Sequence, residues 1–198
     1  MFRVRRVECL YKLGRALTAY AEVAPADETF RQLAFEFVKD KKPIDLAELI
    51  AAHTKRFPTA PEVAYWTGEA YFLLGEYAKA AGAFAAFEKS PSKAGTERWR
   101  LPERLVRARL RAGDVDGALQ HSNGLSPDRT PVALRAALFA GRGDADVVAF
   151  LLDAEAQRAG GVAMFYADED FAREFADAKF AELRAKYPDP RPKSRVKP

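Results

Sequence analysis

Two histidines, one cysteine and several paired carboxylates are the residues of this 198-residue chain whose types suit catalysis or metal binding. A nucleophilic site would need His53 or His121 as its base, beside a serine or Cys9. His53 sits mid-helix beside Ala51, Ala52 and Lys55, where a solvated or half-buried helix histidine accounts for it. His121 closes the helical stretch 116–122, and a cation is favoured at a helix C-terminus. Cys9, amid Val7, Leu10 and Tyr11, reads as a small core residue. Asp114 with Asp116, and Asp144 with Asp146, each follow a glycine. The run Asp114-Val115-Asp116-Gly117 lacks the further oxygen ligands and closing glutamate of a calcium loop, so Asp114 and Asp144 read as helix N-caps. Asp168-Glu169-Asp170 is an acidic helix start, and Gly160-Gly161 has neither the spacing nor the following Lys-Ser or Lys-Thr of a phosphate loop. A lone cysteine and two distant histidines make no disulfide and no zinc site. The chain therefore reads as a non-enzyme, with no catalytic residue, no metal and no cofactor expected.

The 32 basic and 28 acidic residues leave a net charge of +4, a mild excess for this length. A nucleic-acid footprint would be a clustered basic face. Two clusters exist: the arginines of 98–111, and the tail Arg191-Pro192-Lys193-Ser194-Arg195-Val196-Lys197-Pro198, which has no interleaved aromatics. No apolar run approaches the roughly 20 residues of a membrane span. Glu8, Lys12 and Arg15 interrupt any signal-peptide core after the basic start Met1-Phe2-Arg3-Val4-Arg5-Arg6. A cytoplasmic location and no membrane partner are the resulting expectations.

The elements that would hold these residues are helices. Alanine supplies about a fifth of the chain, and Leu, Glu, Arg and Lys are abundant, all strong helix formers. Isoleucine occurs only at Ile44 and Ile50, and no alternating β-branched run suggests a strand. Breakers at Gly14, Lys41-Lys42-Pro43, 58–61, Gly75, 91–95, Gly113, 123–131, Gly143 and Gly160-Gly161 separate pieces of ordinary helix length. The spacing predicts ten or eleven short helices and an all-α class. Trp66 and Trp99 begin helices and read as packing residues. Pro102 is tolerable near a first turn, which predicts a helix starting close to Leu101.

A repeating frame runs through these pieces. Around Gly75 stand a small residue, Gly68, a bulky one three later, Tyr71, and the turn glycine four beyond; Ala80, Phe84 and Phe87 follow. The frame recurs at Ala136, Phe139, Gly143, Val148 and Leu152. It recurs at Ala34 and Phe37, with Lys41-Lys42-Pro43 in the glycine's place, and more loosely at Val7, Leu10, Gly14 and Ala19. Val106, Gly113 and Ala118 fit it as well, with Arg109 where a bulky apolar residue belongs. The small residues let two helices approach closely, the turn glycine supplies the reversal, and Phe84 and Phe87 are expected to reach the next hairpin. A hairpin that cannot bury both faces must stack on its neighbours.

The segment 61–91, with Ala64, Gly68, Tyr71, Leu74-Gly75-Glu76-Tyr77, Ala80, Phe84 and Phe87, resembles the tetratricopeptide repeat (TPR) family, whose unit is a helix–turn–helix of about 34 residues. With its echoes the resemblance covers roughly residues 2–158. The turn-to-turn spacings of 27, 34, 38 and 30 residues make the repeats irregular. The resemblance implies a right-handed α-solenoid of about five antiparallel hairpins and a concave groove lined by the first helix of each. Carried onto matching positions, that lining is Arg31, Phe35 and Val38; Tyr65, Glu69 and Phe72; Glu103, Arg107 and Leu110; and Ala133, Ala137 and Ala140. Arg100, Arg104 and Arg111 extend the basic part. Groove asparagines that clamp a peptide carboxylate are missing, since Asn123 is the one asparagine.

After Gly161, Asp168 before Phe171 and Asp177 before Phe180 read as two capped helices, with Phe171, Phe175, Phe180 and Leu183 docking on the last hairpin. The expected organisation is one TPR-like domain over 1–187, its last part from 160 a helical cap, followed by a flexible basic proline-rich tail, 188–198. At the start, the chain is either a piece of a longer protein or covers its stack with its first helix. The function the resemblance implies is a protein-interaction module or scaffold binding a protein or peptide. The alternative is polyanion or nucleic-acid binding through 98–111 and the tail; nucleic acid is not the first expectation.

Overall fold

Apolar residues three and four apart wind this chain into helices and give most of them one buried stripe. The computed structural model describes residues 2–90, 96–125, 130–156, 158 and 161–191. Among them every regular element is helical. In order these are α1 (Phe2–Lys12), α2 (Ala16–Glu22), α3 (Ala26–Lys39), α4 (Pro43–Arg56), α5 (Glu62–Leu73), α6 (Tyr77–Glu88), α7 (Thr96–Arg111), α8 (Val115–Asn123), α9 (Val132–Arg142), α10 (Ala145–Ala156), α11 (Ala163–Ala167), α12 (Glu169–Phe175), a 3₁₀ turn (Ala178–Phe180) and α13 (Ala181–Lys186). The all-α class is as the composition predicts. The chain falls into two compact units, Met1–Leu101 and Pro102–Pro198.

Five turns of the same construction join the helix pairs. Gly14, Gly75, Gly113 and Gly143 have φ of 71°, 78°, 83° and 91°, and Lys41 takes the corresponding place with φ 54°. In each, the N–H after the turn residue bonds back to the carbonyl of the frame's bulky position. The pairs are Arg15 to Leu10, Lys42 to Phe37, Glu76 to Tyr71, Asp114 to Arg109 and Asp144 to Phe139, all 2.8–2.9 Å. That is the six-to-one bond of a Schellman ending, which satisfies a helix carbonyl and needs a left-handed residue before the donor. Lys41 adopts it despite its side chain, as the frame's substitution of Lys41-Lys42-Pro43 for glycine requires.

In the first unit, α3 buries Phe30, Leu33, Ala34 and Phe37, and α4 buries Leu46, Leu49 and His53. The first helices α1, α3 and α5 pack side by side in sequence order, so they share one face of the unit. In the α5–α6 hairpin a Cβ on Gly68 would lie 2.5 Å from the Phe84 ring, so only glycine fits. Phe84 and Phe87 pack on Tyr65 of their own hairpin, with ring centroids 5.6 Å away in both cases, rather than only reaching forward to the next.

In the second unit, α9 is central, packed by α8, α10, α11 and α12. Ala133, Ala136, Ala137 and Ala140 of α9 are buried beside Val106, Leu110, Leu119, Val148 and Leu152. Phe165, Phe171, Phe175 and Phe180 join the same core, with Leu183 at its edge. Asp168 caps α12 and Asp177 caps the 3₁₀ turn, each through its side chain. Tyr166 donates to the Tyr187 carbonyl at 2.6 Å, and the Tyr187 hydroxyl meets Asp153 of α10. The segment beyond α10 forms more and shorter helices than the sequence suggested, because the extended Asp168 cap interrupts it.

Several expectations are corrected. The helix containing Pro102 starts at Thr96 and passes through the proline. It forgoes one backbone hydrogen bond there, while Leu101, Leu105 and Val106 are buried around it. Cys9 is exposed, since Val7 and Tyr11 are the buried pair on α1 and Cys9 points the other way. Trp99 is 64% exposed for a similar reason, two residues before buried Leu101. His53 is fully buried, because Leu46, Leu49 and His53 form one stripe despite the polar neighbourhood in sequence. Residues 192–198 of the basic tail, and the turn at 91–95, lie outside the described residues.

Candidate functional site

On α3, Arg31, Gln32 and Phe35 lie off the buried stripe, one and four residues apart on the same side of the helix. Together with Tyr65 and Trp66 of α5, and Glu97 and Arg100 from the start of α7, they line a cleft of about 400 Å³ in the first unit. Tyr65 and Trp66 are its buried floor, their rings edge to face with centroids 5.2 Å apart. Phe35 is 39% exposed and forms a wall. The Arg100 guanidinium lies over that ring, 5.0 Å from its centroid.

Charge in the cleft is unevenly matched. Glu62 and Glu97 are both buried, and each begins a helix, where the macrodipole favours an acid. Their neighbour is Arg31, 3.6 Å from Glu62 and 3.4 Å from Glu97, with 43% of its side chain in solvent. Those separations exceed the usual hydrogen-bond range. His53 Nε2 is 3.8 Å from the same Glu62 Oε1 that Arg31 approaches. Burial pushes the His53 pKa down and the Glu62 charge only partly restores it. Its Nδ1 is 2.9 Å from the Tyr20 hydroxyl, and its face stacks on Phe30 at 3.8 Å. Among the described residues, His53 Nε2 and the indole N–H of Trp66 are buried without a hydrogen-bond partner. Arg31 is thus shared between two buried carboxylates, and Arg100 is a second cation of the lining.

The residues that the repeat resemblance assigns to a groove divide sharply. Arg31 and Phe35 open onto the cleft, and Tyr65 is its floor. Glu69 is buried and accepts the Tyr65 hydroxyl at 2.9 Å. Phe72 is buried edge-on to Tyr77, with centroids 5.3 Å apart. Val38 is half-buried, whereas Leu110, Ala133, Ala137 and Ala140 belong to the packed interior of the second unit. In that unit Arg107 holds Glu103 at 2.9 Å, Asp168 at 2.7 Å and Asp170 at 2.5 Å. Arg111 meets the same Asp170 at 2.6 Å and Glu169 at 3.4 Å. Burial opposes the charge of Arg107, but its carboxylate partners prevail and push its pKa up.

Two other α7 arginines also serve internal partners. Arg98 donates to the Glu88 and Ser90 carbonyls at 2.8 Å. Arg109, the exception in the repeat frame, spans its own hairpin to the Gly117 carbonyl at 2.8 Å. Glu97 and Gln32 are the lining residues that sequence reasoning missed, as it missed buried Glu62 beside Arg31. An acid in a first turn is explained by the macrodipole alone, so nothing in the spacing marks Glu62 or Glu97 as buried. Asp114 caps α8, accepting the Gly117 N–H at 3.0 Å. Among the described residues no group of three or more His, Cys, Asp or Glu is placed to hold a metal ion. No described helix is long and apolar enough to cross a membrane.

Residues 62–92, which carry α5, the Gly75 turn and α6, match the tetratricopeptide repeat family. These are the residues on which the resemblance was read. No curated protein and no solved structure matches the chain.

Proposed function

We propose that the chain is a protein-interaction module without catalytic activity, which binds a peptide segment of a protein partner on the shared face of α1, α3 and α5. A tetratricopeptide repeat match at 62–92 suggests a protein-binding role, and the cleft beside it supports that reading. The single observation that carries the reading is the open, mixed lining there. A third or more of Phe35 is in solvent, with a guanidinium stacked on it and two buried rings beneath. Aromatic and arginine anchors in a small concavity are what binding surfaces concentrate.

The test is a peptide-array screen with the intact chain and its Phe35→Ala and Arg100→Glu variants. Both residues are accessible, so changing them removes the surface and leaves the interior packed. Tyr65 and Arg107 are unsuitable, because one is buried and the other is tied into ion pairs. Array binding that both variants weaken supports the module; binding unchanged in both removes this face from the reading.

A further inference from the structure

We propose that the cleft lined by Arg31, Phe35 and Arg100 receives an acidic side chain, an internal glutamate or aspartate of the bound peptide, with the Arg100 guanidinium as its counter-charge. The inference deepens the interaction-module reading and rests on it. The charges of the cleft differ in what they already hold. Glu97 is 5% exposed, and Arg31 stands 3.4 Å from it and 3.6 Å from Glu62, which does not line the cleft. Arg31 is therefore committed to acids of its own unit. Arg100 is exposed, and among the described residues no carboxylate lies within ion-pair distance of it. It rests instead over the Phe35 ring. The lining thus carries two guanidinium groups against one carboxylate, and the surplus charge is the accessible one.

A guanidinium that lies over a ring keeps its N–H donors at its edge, and those donors match the two oxygens of a carboxylate. Phe35 already holds Arg100 at the cleft, so an incoming acid meets a cation in place and spends little on ordering it. Apolar neighbours of the acid meet the open part of Phe35. A basic side chain would instead approach two guanidinium groups that reach solvent, and a carboxylate that Arg31 already attends. A chain end would bring its last backbone amide into the cleft as well. Gln32, the one amide side chain of the lining, already donates to the Val4 carbonyl at 3.2 Å. A nucleic-acid strand carries a charge at every residue and would need a row of such cations, whereas the lining has one to spare.

The experiment uses the full chain and fluorescence anisotropy of the labelled peptide fluorescein-Ala-Leu-Glu-Leu-Ala-amide, with its glutamine and arginine counterparts. Two further probes are the glutamine peptide with a free C-terminal carboxylate and a labelled octathymidylate. The glutamate peptide is expected to bind at least about fivefold more tightly than the glutamine one, in line with a charge-assisted contact. Arg100→Gln should remove most of that preference, and Arg100→Lys should restore part of it, since lysine keeps the charge but not the fork. Equal affinities, a preference for arginine, an unchanged preference in Arg100→Gln, or no binding of any peptide overturns the inference. Tighter binding of the free-carboxylate peptide or of the octathymidylate than of the glutamate peptide overturns it too, in favour of a chain end or a nucleic acid. The peptide array separates this from the broader reading: hits lost in Phe35→Ala but indifferent to acidic residues keep the module and discard the acid-binding cleft.

Discussion

Asp168 serves Arg107 and a helix end with the same carboxylate. Its Oδ2 accepts from Arg107 Nη2 at 2.7 Å, while Oδ1 accepts the backbone N–H of Asp170 at 3.0 Å and of Phe171 at 3.1 Å. Asp168→Ala removes an N-cap and leaves Arg107 short of a partner in a mostly buried place. A loss of about 3–5 kcal/mol is expected. Asp168→Asn keeps an acceptor for the cap and should lose less. Urea unfolding of the two variants measures the difference; equal losses would show that the cap contributes nothing beyond the ion pair.

Acid should loosen the same unit. Burial raises the Asp168 pKa, but the hydrogen bond and charge of Arg107 outweigh it, and the net shift is downward. A carboxylate whose folded pKa lies below its unfolded one stabilises fully above the unfolded value, about 3.9. That stabilisation drains away as pH falls through the folded pKa. Unfolding free energy measured from pH 6 to 2 should therefore drop below about pH 4. Asp168→Asn should drop less steeply over the same interval.

Gly68 and Gly82 offer a matched pair in the α5–α6 hairpin. A Cβ at Gly68 would meet the Phe84 ring at 2.5 Å, whereas one at Gly82 meets nothing within 4 Å. Gly68→Leu should cost about 1–3 kcal/mol or more through overpacking, and Gly82→Ala should stabilise by up to about 1 kcal/mol through helix propensity. Thermal melts of the two variants should move in opposite directions. Melts that move together would mean that the helices do not approach closely at Gly68.

The Lys41 turn gives an opposite test of the repeat frame. With φ at 54°, Lys41 occupies a left-handed conformation that costs a residue with a Cβ about 1–2 kcal/mol. Lys41→Gly should stabilise by several tenths of a kcal/mol or more, the greater freedom of glycine when unfolded taking back part of the gain. Gly75→Ala, at φ 78°, should destabilise by about 1 kcal/mol. Denaturant midpoints of the two proteins read both effects.

The hairpins were legible because their physics is local. A Schellman ending needs a left-handed residue at one position and a carbonyl five residues back, so Gly14, Gly75, Gly113 and Gly143 announce it in the sequence. Even Lys41 was placed, through the spacing of its neighbours. The cleft was far less legible. Phe35 and Glu69 hold the same place in the repeat frame, yet one is open and the other buried, since burial depends on what packs opposite. Arg107 and Asp168 are separated by 61 residues, so reading Arg107 as a groove cation overlooked the carboxylates that hold it. The hidden acids Glu62 and Glu97 look in sequence like ordinary helix starts.

That separation also imposes an order on the birth of the protein. At about 5–20 residues per second, a ribosome makes Asp168 some 3–12 seconds after Arg107, a lag set by their separation of 61 positions. During that interval α7 carries the guanidinium groups of Arg107 and Arg111, whose aspartate counter-ions do not yet exist. They must stay hydrated, and the aromatic side chains of α11 and α12 that complete the same core are missing too. The second unit can therefore close only when nearly all of it has been translated, whereas the α5–α6 hairpin is whole by Glu88.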